Sequence, residues 1–278
     1  MFGREYYKYP QILLNSFKEM NEGYDGKKNF GQVLGYLFKI YIIIFGIPEV
    51  GFQIRCLYFK DILFSNVPNN EEKKILDAGS GIGIYTFWLK KFYKGSDVTG
   101  IDVDRQKLKM SKSLARELNV GEIKLDYGDV TLVPKKRDYD LVVSIDVLEH
   151  VKDYKKVIKN LSLYLVKGGY LYLHTPQADQ RRIFKSLNNW EHEEHVHEGF
   201  TRMILKKEFE SNGLRIIEFK HTFGFFGKLA WELNHLLLSK SFIFAGAIYP
   251  ALYVLARLDL FVKNKEGLGI AVLAKKTK

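Results

Sequence analysis

Short apolar runs and segments of helical period alternate along most of the chain from Lys73 onward. Runs rich in β-branched and aromatic residues predict strands, and apolar residues that recur every three or four positions predict helices. The predicted strands are 74–78, 97–102, 122–127, 139–145, 169–175, 214–221 and 268–274. The predicted helices are 83–93, 104–118, 153–165 and 201–212. This alternation is typical of an α/β fold, in which helices cover a parallel sheet.

Two apolar segments lie outside the alternation, and they divide the chain into four parts. We predict an N-terminal helical roof at 1–70, a ligand-binding sheet core at 71–221, an apolar helical insertion at 222–266 and the final core strand at 267–278. The roof contains "FGQVLGYLFKIYIIIFGIPEVGF" and the insertion contains "SFIFAGAIYPALYVLARLDLF". Each approaches the about 20 apolar residues that span a bilayer. Polar residues and prolines interrupt both, namely Lys39, Pro48, Pro250, Arg257 and Asp259.

The interruptions favour buried or amphipathic helices over spanning ones. A second interpretation is a lid that dips into a membrane interface, with basic side chains facing anionic headgroups. The basic residues of that interpretation are Lys228, Lys240, Arg257, Lys263 and Lys265.

Composition and charge narrow the class of protein only slightly. The 278 residues are 46% apolar, which is ample for a globular core. Cys56 is the only cysteine of the sequence, so an intramolecular disulfide or a cysteine-based metal site is excluded. The start "MFGREYYKYP" does not resemble a secretion signal, and we expect a cytoplasmic protein. The net charge of +11 fits nucleic acid, an anionic membrane or an anionic substrate equally well.

The stretch "KILDAGSGIGIYTFWLKK" predicts a ligand cradle between the first strand and the first helix. Its glycines expose backbone N–H groups and let a ligand approach the main chain closely. A dinucleotide-binding turn needs glycine at position 84, where this chain has Ile84, and a P-loop lysine is absent. The spacing is D-x-G-x-G-x-G instead, and the carboxylate of Asp77 favours a ligand with an ammonium group.

Two further carboxylates follow the next strands of the predicted sheet. Asp102 ends the second strand, where a carboxylate can accept both hydroxyls of a ribose. Asp129 follows the third strand, where it can accept a hydrogen bond from an adenine amino group. An amino-acid end, a ribose and an adenine without phosphates describe S-adenosylmethionine.

At these residues the chain resembles a class I S-adenosylmethionine-dependent methyltransferase of the small-molecule type. The motifs that carry the resemblance are "LDAGSGIG", "GIDVD", "GDVTLVP", "YDLVVSIDVLEHV" and "LVKGGYLYLHTP", and they cover residues 73–221 in family order. The resemblance implies a Rossmann-like, doubly wound, seven-stranded sheet that is mostly parallel with an antiparallel last strand.

The resemblance also implies a role for each matched residue. Asp77, Gly79 and Gly81 are expected to line the methionine end of the cofactor, Asp102 the ribose and Asp129 the adenine. Four neighbours are expected in the same site, namely Ser80, Val103, Val130 and Ile145.

The acceptor is expected to be small and apolar or lipid-linked. "SIDVLEHV" resembles the signature of quinone-biosynthesis methyltransferases, whereas nucleic-acid amino methyltransferases carry Asn/Asp-Pro-Pro-aromatic at that place. The apolar residues of "HTFGFFGKLAWELNHLLL" and of the following helix favour an apolar acceptor, and we expect a cytoplasmic enzyme, peripheral at the inner face of a membrane. The alternatives are a non-catalytic S-adenosylmethionine-binding protein and an RNA methyltransferase.

The histidine-rich stretch "NWEHEEHVHEGFT" supplies a candidate base for transfer to oxygen. Glu194-His195-Val196 and Phe200-Thr201 match the family pattern there, and His195 is the predicted base. In the alternative interpretation, Thr201 caps a helix and His195 braces a loop.

Two metal sites are conceivable, and neither is assigned. One draws on the acidic and imidazole groups of the histidine-rich stretch, namely Glu191, His192, Glu193, Glu194, His195 and His197. The other, implied by the resemblance, uses Asp146, Glu149 and His150. Hydrogen bonding at a helix entry accounts for Glu149 and His150 without a metal.

Overall fold

The computed structural model describes residues 40–135, 137–187 and 195–277. The predicted N-terminal helices before residue 40 and residues 189–194 of the histidine-rich stretch lie outside these ranges. The chain forms two compact units. The sheet unit consists of Tyr58–Arg181, Asn189–Thr222 and Asn264–Lys278, and the helical unit of Met1–Leu57, Arg182–Asn188 and Phe223–Lys263.

The sheet unit contains a seven-stranded mixed sheet, as predicted. Its strands are β1 (Lys74–Ala78), β2 (Asp97–Asp102), β3 (Lys124–Tyr127), β4 (Tyr139–Ile145), β5 (Leu165–Pro176), β6 (Leu214–Thr222) and β7 (Gly269–Lys276). The strand order is β3-β2-β1-β4-β5-β7-β6. β7 runs antiparallel to both β5 and β6, and the pairs among β1 to β5 are parallel. The order reverses between β1 and β4, and sheets of this type bind ligands outside the carboxyl ends of the strands at that point.

From Val50 onward, the α-helices of the described residues are α1 (Val50–Asn66), α2 (Ile84–Phe92), α3 (Arg105–Glu117), α4 (Tyr154–Tyr164), α5 (Arg202–Ser211), α6 (Phe225–Leu238) and α7 (Phe242–Arg257). Side-chain caps fix where several of them begin, because an oxygen of the capping residue accepts from a free backbone N–H of the first turn. Asp104 caps α3, Asp153 caps α4 and Thr201 caps α5. The cap predicted at Thr201 is therefore present, and α5 ends beside Gly213, which has φ of 72°.

Alternate residues of the strands enter two apolar clusters, one on each face of the sheet. One cluster joins Leu76, Val142 and Leu171 to residues of α4 and α5. The other joins Ile75, Leu141 and Tyr172 to α2 and to the second half of α1. The boundary predicted at residue 70 accordingly moves to Leu57, because Phe59, Ile62 and Leu63 of α1 are fully buried in this second cluster.

The described part of the helical unit is built on α6, α7 and the first half of α1. Gly227 lets the backbone of α6 lie close to the Asp259 side chain, since a Cβ at this position would lie 2.3 Å from a carboxylate oxygen of Asp259. The membrane-interface interpretation counts Lys228 among the residues that face headgroups, and on this residue it is wrong because Lys228 is only 8% exposed. By length and composition, the described stretches Ile40–Asn66 and Phe244–Phe261 could cross a membrane.

Candidate functional site

The turn after β1 has a backbone that requires glycine. Gly79, Gly81 and Gly83 have φ of 88°, 53° and 85°, a region that residues with a Cβ rarely adopt. A Cβ on Gly79 would also lie 2.3 Å from Cγ2 of Val147, the second residue after β4. At Gly81, by contrast, a Cβ would meet nothing within 4 Å. The turn is thus packed tightly at Gly79 and open at Gly81, where a ligand can approach the main chain.

Asp77 is a buried carboxylate just before this turn. It is 1% exposed, and its Oδ2 accepts a hydrogen bond of 2.6 Å from the Thr86 hydroxyl. The pKa of Asp77 is raised to about 7, mainly by burial; the Thr86 hydrogen bond opposes the rise and the nearby Asp102 carboxylate contributes to it. A carboxylate whose ionised form is disfavoured in this way is stabilised by a nearby cation. The environment of Asp77 therefore fits the ammonium group of an amino-acid ligand.

Asp102 connects the end of β2 to the glycine turn. Its Oδ2 accepts from the backbone N–H of Gly81 at 2.8 Å, and its Oδ1 accepts from that of Asp104 at 2.8 Å. Each oxygen keeps a second lone pair for another donor. The two backbone bonds fix the orientation of the carboxylate, and the two remaining lone pairs suit the two hydroxyls of a ribose.

The other residues expected around the cofactor differ in their exposure. Asp129 is half-buried, and its Oδ1 accepts from the Thr131 backbone N–H at 2.8 Å. Val130 and Ile145 are 6% and 8% exposed and belong to the two apolar clusters, whereas Val103 is 56% exposed beside Asp102. The hydroxyl of Ser80 is buried and has no hydrogen-bond partner within the described ranges. The open position at Gly81, the buried Asp77 and the oriented Asp102 together fit S-adenosylmethionine.

A carboxylate–imidazole pair follows β4 and was missed by the sequence reasoning. Oδ1 of Asp146 lies 2.6 Å from Nδ1 of His174, and Nε2 of His174 lies 3.0 Å from Oγ1 of Thr222. Asp146 has φ of 52°, an unusual value for a residue other than glycine, and its backbone N–H donates to the His174 carbonyl. The next residue, Val147, is the one that packs against Gly79. The pair thus adjoins the cofactor turn, and the only signal in the sequence was a histidine near the end of a buried strand.

The predicted base His195 lies in a second polar cluster with Glu149 and His150. One ligand atom from each of the three residues lies within 4.8 Å of the other two, and the two imidazole rings are 4.9 Å apart. Glu149 is fully buried, and its Oε2 accepts from the Thr175 hydroxyl at 3.1 Å. The backbone carbonyl of Glu149 accepts from the N–H groups of Val196 and His197. These bonds hold the His195 loop against the end of β4.

The cluster of Glu149, His150 and His195 combines residues from the two metal sites considered in the sequence analysis. Nε2 of His197 lies 3.1 Å from the carbonyls of Val151 and Lys152, and Asp146 contacts His174. Among the described residues, the group that could hold a metal ion is therefore Glu149, His150 and His195, a new combination of the two proposals. One carboxylate and two imidazoles are ligand types that Zn²⁺ accepts.

Comparisons with known proteins show the family of the chain. A family model described as a methyltransferase domain matches residues 53–218, more than half of the chain. Pavine N-methyltransferase of Thalictrum flavum subsp. glaucum is 25% identical over 117 residues, which are 42% of this chain and 33% of that protein. The ubiquinone biosynthesis O-methyltransferase of Marinobacter nauticus is 33% identical over 109 residues, 37% of this chain and 44% of that protein. The chain thus spans less than half of the length of these curated relatives.

A solved structure shows the same fold. Phosphoethanolamine N-methyltransferase 2 of Haemonchus contortus, in complex with S-adenosyl-L-methionine, superposes with a TM-score of 0.58 at 18% identity, over 78% of this chain and 52% of that one. With the family model and the sheet order in agreement, the chain belongs to the methyltransferase-domain family of class I S-adenosylmethionine-dependent methyltransferases.

Proposed function

We propose that the protein transfers the methyl group of S-adenosylmethionine to an oxygen atom of a small, apolar or lipid-linked acceptor, with His195 as the base. The observation that carries this proposal is the cluster of Glu149, His150 and His195 beside the end of β4. S-adenosylmethionine supplies a methyl group that is already activated by its sulfonium. The chain has to bind the cofactor, align the acceptor and remove one proton.

Binding and alignment fall to the residues of the glycine turn and the strand ends. Asp77 balances the ammonium group, Asp102 accepts the ribose hydroxyls and Asp129 accepts from the adenine amino group. Gly81 leaves room at the main chain for the methionine end. In-line displacement depends mainly on holding the reacting atoms in place, which can supply roughly 7–11 kcal/mol.

Removal of the proton is the step that distinguishes oxygen from nitrogen. A hydroxyl is protonated at neutral pH and must lose its proton as it attacks, whereas a neutral amine attacks with a lone pair. A placed imidazole contributes about 10²–10⁴-fold to such a step. The Glu149 carboxylate, within 4.8 Å of the imidazoles, stabilises the positive charge that His195 acquires. The relatives include both O- and N-methyltransferases, and the polar cluster is the reason to prefer oxygen.

The apolar nature of the acceptor is supported by the exposed apolar residues of the helical unit, among them Phe244, Val254 and Phe261. We propose a cytoplasmic protein that works at the inner face of a membrane on such an acceptor. Transfer to RNA is the competing function that the net charge of +11 would favour, and it predicts nucleic-acid binding that weakens steeply with salt.

The test incubates the purified full chain with methyl-labelled S-adenosylmethionine and an extract of source cells. We expect label in the organic phase, in a product that mass spectrometry identifies as methylated on oxygen. His195→Gln should lower the rate by about 10²–10⁴-fold and change its pH profile, whereas His221→Gln, a control on β6, should not.

Each part of the proposal can fail separately. Label in the aqueous phase would contradict an apolar acceptor, and a methylated nitrogen would contradict transfer to oxygen. Full activity of His195→Gln would contradict the role of His195 as the base. Cofactor binding without any methyl transfer would favour a non-catalytic protein.

A further inference from the structure

The outer side of α7 carries a continuous row of exposed apolar side chains. The row continues into the 3₁₀ turn Leu258–Phe261 that follows α7. Its members are spaced alternately by three and four residues, namely Phe244, Ala247, Ala251, Val254, Leu258 and Phe261, and all are exposed. Phe244, Val254 and Phe261 are 56%, 60% and 81% exposed. We call this row the apolar stripe, and at the rise of an α-helix it is about 26 Å long.

The opposite side of α7 is packed inside the helical unit. Ala245, Tyr249, Leu252 and Ala256 are at most 4% exposed. The Tyr249 hydroxyl donates to the Ile47 carbonyl at 2.9 Å, and the Tyr41 hydroxyl donates to the Gly246 carbonyl at 2.6 Å. These contacts hold one side of the helix in the protein. A helix that is held on one side and apolar on the other is suited to lie in a surface plane rather than to cross a bilayer.

The exposed formal charges of the described helical unit all have one sign. Its three carboxylates are buried, with Glu49 at 6%, Glu232 at 0% and Asp259 at 1% exposure. Backbone N–H groups donate to each of them: Gly51 and Phe52 donate to Glu49, Ile183 and Phe184 to Glu232, and Phe226 to Asp259.

The exposed basic residues of the same unit include Lys240 and Lys263, which bracket the stripe. Lys240 lies two residues before α7, and Lys263 lies two residues after the 3₁₀ turn. Arg257 is also exposed, near the second end of the stripe. No exposed acidic residue offsets these charges within the described part of the helical unit.

We propose that the apolar stripe is a docking surface for the anionic face of a lipid bilayer. The stripe enters the region of the upper acyl chains, and Lys240, Arg257 and Lys263 contact anionic headgroups at its two ends. A second copy of the chain fits less well, because a symmetric contact through the stripe would bring the same cations together. The proposal concerns a surface of the helical unit alone and does not depend on the proposed methyl transfer.

The test is co-sedimentation of the full chain with vesicles, without cofactor. Vesicles of phosphatidylcholine are compared with vesicles of phosphatidylcholine and phosphatidylglycerol, at low and high salt. We expect retention on the anionic vesicles that weakens with salt. Lys240→Gln with Lys263→Gln should weaken binding by about 25-fold, since one basic residue near an anionic surface contributes about fivefold. Val254→Ser with Phe261→Ser should weaken binding to both kinds of vesicle by about tenfold or more.

Matched controls lie in the sheet unit, where α3 carries exposed Lys109 and Lys112 and α5 carries Met203, which is 78% exposed. Lys109→Gln with Lys112→Gln, and Met203→Ser, should bind as the wild type does. Three results would overturn the proposal: no binding of the wild type at low salt, equal binding of the stripe variants, or loss of binding in the α3 control instead. A dimer that Val254→Ser with Phe261→Ser dissociates, without vesicle binding, would show that the stripe serves a second copy.

Discussion

The buried carboxylate of Asp77 should make the cofactor-free protein less stable as pH rises toward neutrality, and Asp77→Asn tests this. The pKa of Asp77 is raised from 3.8 to about 7, mainly by burial. Between these two values the folded protein keeps a proton that the unfolded chain has released. The free energy of unfolding therefore falls with rising pH through this window, by about 1.4 kcal/mol per pH unit.

The magnitude follows from the same two values. Between about pH 5 and about pH 7.5 the ionisation of Asp77 should cost roughly 2–3 kcal/mol of stability. The amide introduced by Asp77→Asn cannot ionise but can still accept the hydrogen bond that Thr86 donates at 2.6 Å. We expect the variant to be more stable than the wild type throughout this window, and its advantage to grow by roughly 2–3 kcal/mol from the lower pH to the higher one. Its affinity for S-adenosylmethionine should fall, because the ammonium group loses its counter-charge.

Urea unfolding followed by far-UV circular dichroism at the two pH values measures both proteins. Asp126→Asn, on an exposed position of β3, is the control for loss of a strand carboxylate. An equal pH dependence of wild type and Asp77→Asn would refute the reasoning about burial. Tighter cofactor binding by the variant would refute the role assigned to the carboxylate.

Three further predictions concern the cofactor residues and the cluster of Glu149, His150 and His195. Asp102→Ala should weaken S-adenosylmethionine binding by about 1.5–3 kcal/mol per charge-assisted bond lost, and unchanged affinity in calorimetry would mean that the ribose binds elsewhere. Gly79→Ala should destabilise the fold by several kcal/mol, on the order of a core overpacking defect, because its Cβ would lie 2.3 Å from Val147. Gly246→Ala is the matched glycine control, because its Cβ would meet nothing within 4 Å. Equal melting temperatures of Gly79→Ala and Gly246→Ala would contradict the predicted overpacking at Gly79. Treatment with a chelator should leave methyl transfer intact if His195 is a base, and loss of activity restored by Zn²⁺ would make Glu149, His150 and His195 metal ligands instead.

The sheet could be predicted from the sequence because its strands are buried and their apolar runs are bounded by turn residues. β1, β2 and β4 have the predicted bounds, and β5 begins four residues earlier than predicted. The glycines and the carboxylates Asp77 and Asp102 were recognisable because they lie near the carboxyl end of such a strand or directly after it. Their roles toward the cofactor remain predictions until binding is measured.

Other features could not be predicted because they depend on contacts between distant segments. The Asp146–His174 pair joins residues 28 positions apart and is only visible once β4 and β5 are aligned. The second half of α1 enters the sheet unit through Phe59, Ile62 and Leu63, although the periodicity of the segment does not indicate which unit it joins. Burial of Lys228 could not be predicted either, because a basic residue in an amphipathic segment is normally assigned to the solvent-exposed side.

The way Asp102 is held has a consequence for turnover. Its carboxylate is fixed by the N–H groups of Gly81 and Asp104 in an orientation suited to ribose hydroxyls. Ribose, adenine and ammonium are all retained in the demethylated product, S-adenosylhomocysteine, and the reaction changes only the sulfur. We therefore expect strong product inhibition, because released S-adenosylhomocysteine competes for the same site until another enzyme degrades it.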